Sequence, residues 1–467
     1  MPRHINRHIK FDHRLLENFC WPLLFSMLAL CACGMLNLYS VSSNASFTGE
    51  WSWFIRQGLY LGLALASLAL VLVVDYQYLK KIVWAFYGLN IICLVAVALV
   101  GTNVNGATRW LDLGLFRFQP SESIKVILVV ALAAWFSKRD LSNGLGFRDL
   151  LTPAALILLP CILIHKQPDL GTALHLLVTC TPIILAFRFR PQVTITLLAT
   201  ATLVAGLLIA LFASGSWPVL LEKGLIKDHQ VKRIEAFMDP TKDPSGNGWQ
   251  TLQSQNAVGG GQLLGRGFME GPQHKNGFLP EAETDFAFAA MAEEWGFLGC
   301  ALVLALFLCL LSSGLMLSRR SKDRFGSLIA LGLTSLLFWQ VVMNVGMVTG
   351  LLPVVGIPLP FISYGGTSLV VTVVAGALLL NVGMRRFLFQ DEPVQENPCL
   401  WQEEASELLI SATAPVRRLT ADTPFNPEIH PQNRLPHLRP WAKYLRRGRS
   451  SMSGWQAPDP YAHLMDD

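Results

Sequence analysis

Ten apolar runs, most of them about as long as a bilayer-crossing helix, leave this chain few ways to fold. They fall at 20–40, 56–75, 82–101, 121–137, 150–165, 171–188, 192–213, 287–317, 326–350 and 367–384. A hydrocarbon core about 30 Å thick takes roughly 20 residues of helix. Inside it every backbone N–H and C=O needs an internal partner, which a helix supplies. The runs at 121–137 and 150–165 are the least regular, being short or carrying polar residues. The expected fold is an all-α polytopic integral membrane protein with about ten transmembrane helices. Composition agrees, with 52% hydrophobic residues, 15% charged and a mean hydropathy of +0.42. A soluble domain carries about 25% charged residues, so a cytosolic enzyme, a nucleic-acid binder and a disordered scaffold are all disfavoured.

Basic residues add direction, because short cytoplasmic loops are enriched in Lys and Arg. Arg3, Arg7, Lys10 and Arg14 precede the first run, and Lys80 and Lys81 follow the second. Lys138, Arg139 and Arg148 follow the fourth, Arg188 and Arg190 the sixth, Arg319, Arg320, Lys322 and Arg324 the eighth, and Arg385 and Arg386 the tenth. Residues 41–55 and 351–366 hold no Lys or Arg. The alternation predicts both termini in the cytoplasm and explains the net charge of +5 as topology. The first run is too long for the core of a cleavable signal and reads as a retained helix. The chain divides into a cytoplasmic N-terminus (1–19), helices 1–7 (20–213), a large outer loop between helices 7 and 8 (214–286), helices 8–10 (287–390) and a Pro-rich tail (391–467) expected to be cytoplasmic and disordered. The tail has a basic cluster at Arg439–Arg449 that could bind a surface. Seven of nine cysteines sit inside apolar runs with no zinc-type spacing, which predicts small packing residues.

An ionisable side chain at membrane depth is costly and usually faces a cavity or a partner. Here such residues gather at the expected outer ends. In TRWLDLGLFRFQPSESIK (108–125), Pro120 suits a first helical turn with Gln119 just before it. Glu122 and Lys125 then share a helix face beside Arg109 and Arg117. In HKQPDLGT (165–172), Lys166 and Asp169 occupy a short connection. In GFLPEAETDFAFAAMAEEWG (277–296), Glu281, Glu283 and Asp285 stand where the apolar run resumes, with Glu293 and Glu294 continuing the acidic theme inward. A partly desolvated carboxylate at that lip would gain basicity. The Gly- and amide-rich stretch 246–271 lacks the context of a phosphate-binding loop and reads as re-entrant or surface-hugging. LLPVVGIPLPFISYGGTS (351–368) is apolar but broken by prolines and glycines. Non-helical backbone at membrane depth has to be buried in protein or line a cavity, so this segment is expected to pack against the site and offer Ser363 and Tyr364 to it. Cations (Arg109, Lys125, Lys166) beside carboxylates (Glu122, Asp169, Asp285) suit a lipid-borne diphosphate and a hydroxyl awaiting deprotonation.

RWLDLGLFRFQPSE, KQPDLGT, FLPEAETDFAFAAMAEEWGFLG and NVGMVTGLLPVVGIPLPFISYGGTSL resemble the signature segments of the SEDS family (shape, elongation, division and sporulation). The last of them is closer to the elongation branch than to the division branch. The resemblance runs from about residue 20 to 385. It implies a peptidoglycan glycosyltransferase that polymerises lipid II during elongation, in the bacterial cytoplasmic membrane. It also implies a class B penicillin-binding protein and other elongation-complex membrane proteins as partners, and no nucleic acid. The family's essential carboxylate matches Asp285, as base or as holder of a divalent cation such as Mg or Mn. Its cavity residues match Arg109, Glu122, Lys125, Lys166 and Asp169, with Gln119, Glu281 and Ser363 alongside as substrate contacts. Glu283 departs from the pattern, since relatives commonly carry a basic residue or His there. A lipid II flippase and a non-catalytic scaffold for the penicillin-binding protein are the alternatives.

Overall fold

A computed structural model describes residues 18–43, 51–104, 107–112, 114, 117–139, 144–167, 169–213, 236–237, 239–240 and 246–385. These all belong to one of two units of the chain, Met1–Ile410. The basic N-terminal residues, much of the outer loop before 246 and the tail lie outside the described residues.

A helix stands on each of the ten apolar runs. They are α1 (Trp21–Ser43), α2 (Trp51–Val73), α3 (Tyr76–Val100), α4 (Pro120–Ser137), α5 (Phe147–Lys166), α6 (Leu170–Leu185) and α7 (Pro191–Ala213), then, after the helix α8 (Asn247–Gly260), α9 (Ala287–Arg320), α10 (Arg324–Val348) and α11 (Gly366–Met384). Eight are long and apolar enough to cross a membrane, and α6 is a shorter apolar helix. Helix starts are marked by side-chain caps, which satisfy orphan N–H groups. Asp75 accepts from the Gln77 N–H at α3, Asp169 from Thr172 at α6 and Asp323 from Gly326 at α10. Pro120 opens α4 at a position where a missing N–H costs nothing.

Helices α4, α10 and α11 form the centre, with nearly every α4 side chain buried. Helix α10 packs on α4, α6 and α9, α11 on α2, and α9 on α1. Leu59, Leu70, Ile92 and Leu99 on α2 and α3 are exposed, as residues facing hydrocarbon should be. Among the described residues the named strands form a small antiparallel sheet between α3 and α4. It has the order β1 (Thr102–Val104), β2 (Ala107–Asp112) and β3 (Arg117–Phe118), with Leu111 opposite Phe118 and Asp112 opposite Arg117. Within this stretch, residues 111–115 (LDLGL) and 116–118 (FRF) each alternate, a period of two that suits a half-buried strand.

Two interruptions of helical order shape the end of the bundle that carries this sheet. Helix α9 is 34 residues long but breaks at Gly296, whose φ of 66° and ψ of −167° are not helical. The segment after α8 fills the break. Arg266 and Gly267 N–H groups donate to Glu293 and Glu294 carbonyls at 2.9 and 3.1 Å, and Phe297 and Leu298 N–H groups donate to Gln262 and Leu263 at 2.9 and 3.1 Å. The amide-rich helix α8 caps α10 in turn, Ser254 donating to the Val348 carbonyl at 2.7 Å and Gln255 to Thr349 at 3.3 Å. The expected surface-hugging segment is therefore a helix and loop that complete the ends of two spans.

The second interruption is 351–365, without regular structure and largely buried. It reaches well into the bundle. A Cβ on Gly34 of α1 would lie 2.6 Å from Ile362 Cα, and Gly34 is about 13 Å along the helix from Ser43 at 1.5 Å per residue. Buried backbone needs partners, and amides from the spans supply them. Gln340 donates to Pro358 O (3.1 Å) and Asn344 to Ile357 O (2.8 Å). Gln57 donates to Ser363 O (3.3 Å) and accepts from the Gly365 N–H (3.2 Å).

Candidate functional site

The first turn of α4 supplies one half of the site. Glu122 and Lys125, one turn apart, meet at 2.7 Å with side chains 6% and 3% exposed. Burying two charges is tolerable because each offsets the other. Asn90 of α3 donates to Ser123 Oγ beside them at 2.5 Å. Gln119, just before the helix, donates from its side chain to Ser121 Oγ and from its backbone to Thr367 Oγ1 of α11, at 3.1 and 3.4 Å. Thr367 in turn donates to the Arg117 carbonyl at 3.1 Å, which fastens the sheet to α11.

Asp169 is buried at the start of α6, accepting from Thr172 N–H (3.2 Å) and Thr172 Oγ1 (2.9 Å). Arg109 on β2 reaches toward it, Nε to Oδ2 at 3.7 Å, with its own side chain 21% exposed. The sheet therefore brings a cation over the capping aspartate. Lys166 stands exposed on the last turn of α5.

Asp285 joins this group through two residues of the re-entrant segment. A Cβ on Gly171 of α6 would come within 2.3 Å of Val355 O, so α6 sits against Val355. The next residue, Gly356, has φ +70°, and a Cβ there would lie 3.3 Å from Asp285 Oδ2. The half-buried Asp285 carboxylate thus lies on one side of a two-residue strip, with the start of α6 on the other. Asn344 fixes the strip and the acid together, donating to Asp285 O at 2.9 Å and to Ile357 O at 2.8 Å. The Tyr364 N–H donates to Glu283 O at 2.7 Å, a second tie two residues away.

The remaining expected residues divide. Glu281 is exposed, with φ 51°, and accepts from Thr284 Oγ1 at 3.0 Å, so it shapes the turn before Asp285. Ser363 is buried and its Oγ accepts the Leu359 N–H at 2.8 Å, inside the segment it belongs to. Glu293 and Glu294 do not extend the acidic lip inward. Their side chains are 1% exposed and face His274, at 3.5 and 3.1 Å from its ring nitrogens. Sequence reading missed the amides Gln57, Gln340 and Asn344. Their signal is a costly polar side chain in an apolar run, with Gln340 and Asn344 one turn apart on α10.

A family profile described as cell cycle protein, covering FtsW, RodA and SpoVE, matches residues 21–387. The chain belongs to this family. It is the SEDS family whose segments the motifs resemble. Among this family member's curated relatives, peptidoglycan glycosyltransferase MrdB of Escherichia coli K12 is 40% identical over 306 residues, 65% of this chain and 78% of its own length. A chain solved in a study of the structural coordination of polymerization and crosslinking by a peptidoglycan synthase complex has a TM-score of 0.65 and 31% identity. The match covers 80% of this chain and 99% of that one. The rod shape determining protein RodA of Thermus thermophilus has a TM-score of 0.56 at 28% identity, covering 79% and 98%. The SEDS polytopic fold of this family member is therefore shared over nearly the full length of both solved chains.

Proposed function

We propose that the Asp285 site carries out glycosyl transfer between lipid-linked sugars. The protein is a peptidoglycan glycosyltransferase that polymerises lipid II into glycan strands in cell elongation. It is a multi-pass protein of the bacterial inner membrane and works with a class B penicillin-binding protein, which supplies the transpeptidase, and with other elongation-complex membrane proteins. The observation that carries the reading of the site is the convergence of Asp285, Asp169–Arg109 and the start of α6 on the Val355–Gly356 strip. The sheet and re-entrant end faces the periplasm and both termini lie in the cytoplasm, a placement supported by the alternation of Lys and Arg.

In this reading the 4-hydroxyl of the incoming lipid II sugar attacks the anomeric carbon of the lipid-linked chain from the face opposite the diphosphate, inverting it. Asp285 takes the hydroxyl proton. The new glycosidic C–O bond forms as the C–O bond to the undecaprenyl diphosphate breaks, and the bonding pair leaves with the phosphate oxygen. Arg109 and Lys125 offset the charge that grows on that oxygen. Lys125 is already matched by Glu122, so it contributes as an ordered dipole until the diphosphate draws it over. Gln119 contacts the sugar end from the α4 lip and Lys166 the diphosphate from its exposed rim, with Glu281 and Ser363 supporting the turn and the floor.

Among the described residues no three His, Cys, Asp or Glu side chains are grouped to hold a metal. A Mg or Mn ion at Asp285 would fit only with diphosphate oxygens of the substrate completing its shell, as Mg commonly binds. It would supply charge neutralisation for the leaving group.

A flippase needs a polar route from both faces. At the opposite end of the bundle the buried polar groups are locked to one another instead. Arg385 donates to Leu72 O and Val73 O at 3.0 and 2.8 Å and faces Asp75 at 3.7 Å, while Asn381 ties the α2–α3 turn to α11. The decisive experiment is polymerisation of lipid II by purified protein in detergent, where flipping is not required. Asp285→Ala is expected to abolish strand formation while the protein still accumulates in the membrane, and normal strands from that variant would reject the reading.

A further inference from the structure

Away from the reacting groups, one imidazole is enclosed between two acids. His274 lies on the turn Pro272–Lys275, with Nδ1 3.5 Å from Glu293 Oε2 and Nε2 3.1 Å from Glu294 Oε1, all three side chains 1% exposed. The Gln273 N–H donates to both oxygens of Glu293, at 3.0 and 3.2 Å, and Ser40 of α1 donates to Glu294 Oε1. There is no slack around the ring. A Cβ on Gly271 would fall 2.5 Å from His274 Cε1 and 2.7 Å from Glu293 Oε2.

We infer that His274 is a positioning residue for glycosyl transfer, joining the two ends of the segment that carries Asp285. The inference rests on the reading of Asp285 as base given above. Residues 274 and 293 are those two ends, and Asp285 stands between them with its own ties to Asn344 and, through Glu283, to Tyr364. Without the imidazole, two acids would stay buried side by side with no cation between them, an arrangement that a protein avoids by opening up. Opening there frees both anchors of the acid.

Charge chemistry supports the geometry. Imidazolium has donors on both nitrogens and can serve both acids, whereas neutral imidazole has one. Burial by itself would pull the His274 pKa down. The hydrogen bonds and charges of Glu293 and Glu294 outweigh it and push the group up to about 9. Helix α9 faces the ring with those two acids, and from α1 the uncharged Ser40 donates to Glu294 Oε1. On its own turn, Lys275 is exposed and pairs with Glu270 at 3.2 Å, and Arg266 Nε donates to Gly260 O at 2.9 Å.

The test is the pH dependence of lipid II polymerisation by the full chain with its class B partner, comparing wild type, His274→Ala and His274→Lys between pH 6 and 10. Wild-type kcat should fall as pH rises through about 9 with little change in KM. At neutral pH, His274→Ala should lose about 10- to 100-fold in kcat, the scale of a misplaced catalytic group, and show no alkaline limb. The Lys variant, charged to higher pH, should recover most of the rate and move the limb upward. Wild-type kcat in His274→Ala, an unshifted limb in His274→Lys, or a Lys variant no better than Ala would each overturn the inference. If His274→Ala does not accumulate, the Lys variant decides through its limb alone. Failure of the underlying reading is distinguishable, because it shows as normal strands from Asp285→Ala whatever the His274 variants do.

Discussion

Five acids stand between residues 281 and 294, and their surroundings give them different work. Glu281 is exposed and braces a turn, Asp285 is half-buried against Gly356, and Glu293 and Glu294 are sealed around His274. The Glu122–Lys125 pair is the sharpest test of buried charge at this scale. Lys125→Met alone leaves a carboxylate 6% exposed without its cation, which should cost about 3 kcal/mol or more. Joint replacement, Glu122→Gln with Lys125→Met, removes the orphaned charge and should regain most of that stability but not the polymerase activity. Thermal unfolding in detergent followed by strand synthesis checks both halves. Asp285, Glu122, Lys125 and Asp169 were legible in the sequence because an ionisable group in an apolar chain is expensive enough to need a reason. Asn344, Gln340 and Gln57 carry the same signal more faintly, as uncharged amides in apolar runs, and His274 lies outside the runs; their partners are carbonyls and acids that only the fold brings within reach.

At the scale of elements, the ten spans could be read from run length alone, and their observed bounds stay close to the runs. What run length hides is an interruption that another segment repairs. The eighth run reads as one long helix, yet it breaks at Gly296, and the glycines that make the repair lie some thirty residues upstream. A Cβ on Gly296 would sit 2.2 Å from Gly265 N, and Gly296 has a positive φ as well. Gly296→Ala therefore meets backbone and strain at once, and displacing such backbone usually costs several kcal/mol. The expected outcome is release of residues 261–279 from α9, read as faster protease cleavage there and as loss of strand synthesis. The same physics separates the small sheet from the spans. Its alternation is confined to the short pieces 111–115 and 116–118, beside a helix-forming run, and is too brief to stand out.

For the whole molecule, the distribution of basic residues supports the proposed direction of the bundle, with both termini in the cytoplasm. Asn276 is exposed on the turn below Gly277, and Lys322 is exposed between α9 and α10 at the far end. In a background freed of reactive native cysteines, Asn276→Cys should react with a membrane-impermeant thiol reagent added to intact spheroplasts. Lys322→Cys should react only after the membrane is opened. The reverse pattern would invert the topology and put the Asp285 site on the wrong side for strand export.

The re-entrant segment has one more consequence. On the proposed reading, Asp285 collects a proton at every turnover and has to pass it on before the next sugar arrives. Beneath Asp285 lie Ile357, Leu359, Phe361 and Ile362, almost wholly shielded from solvent, with Phe361 and Ile362 wedged against the middle of α1. The polar groups that serve this floor, Gln340, Asn344 and Ser363, are held in hydrogen bonds to its backbone and carry no titratable proton, so on the proposed topology the proton leaves upward into the wall compartment. Strand growth would then proceed at the same pace whether or not the membrane is energised, drawing its drive from the diphosphate bond alone.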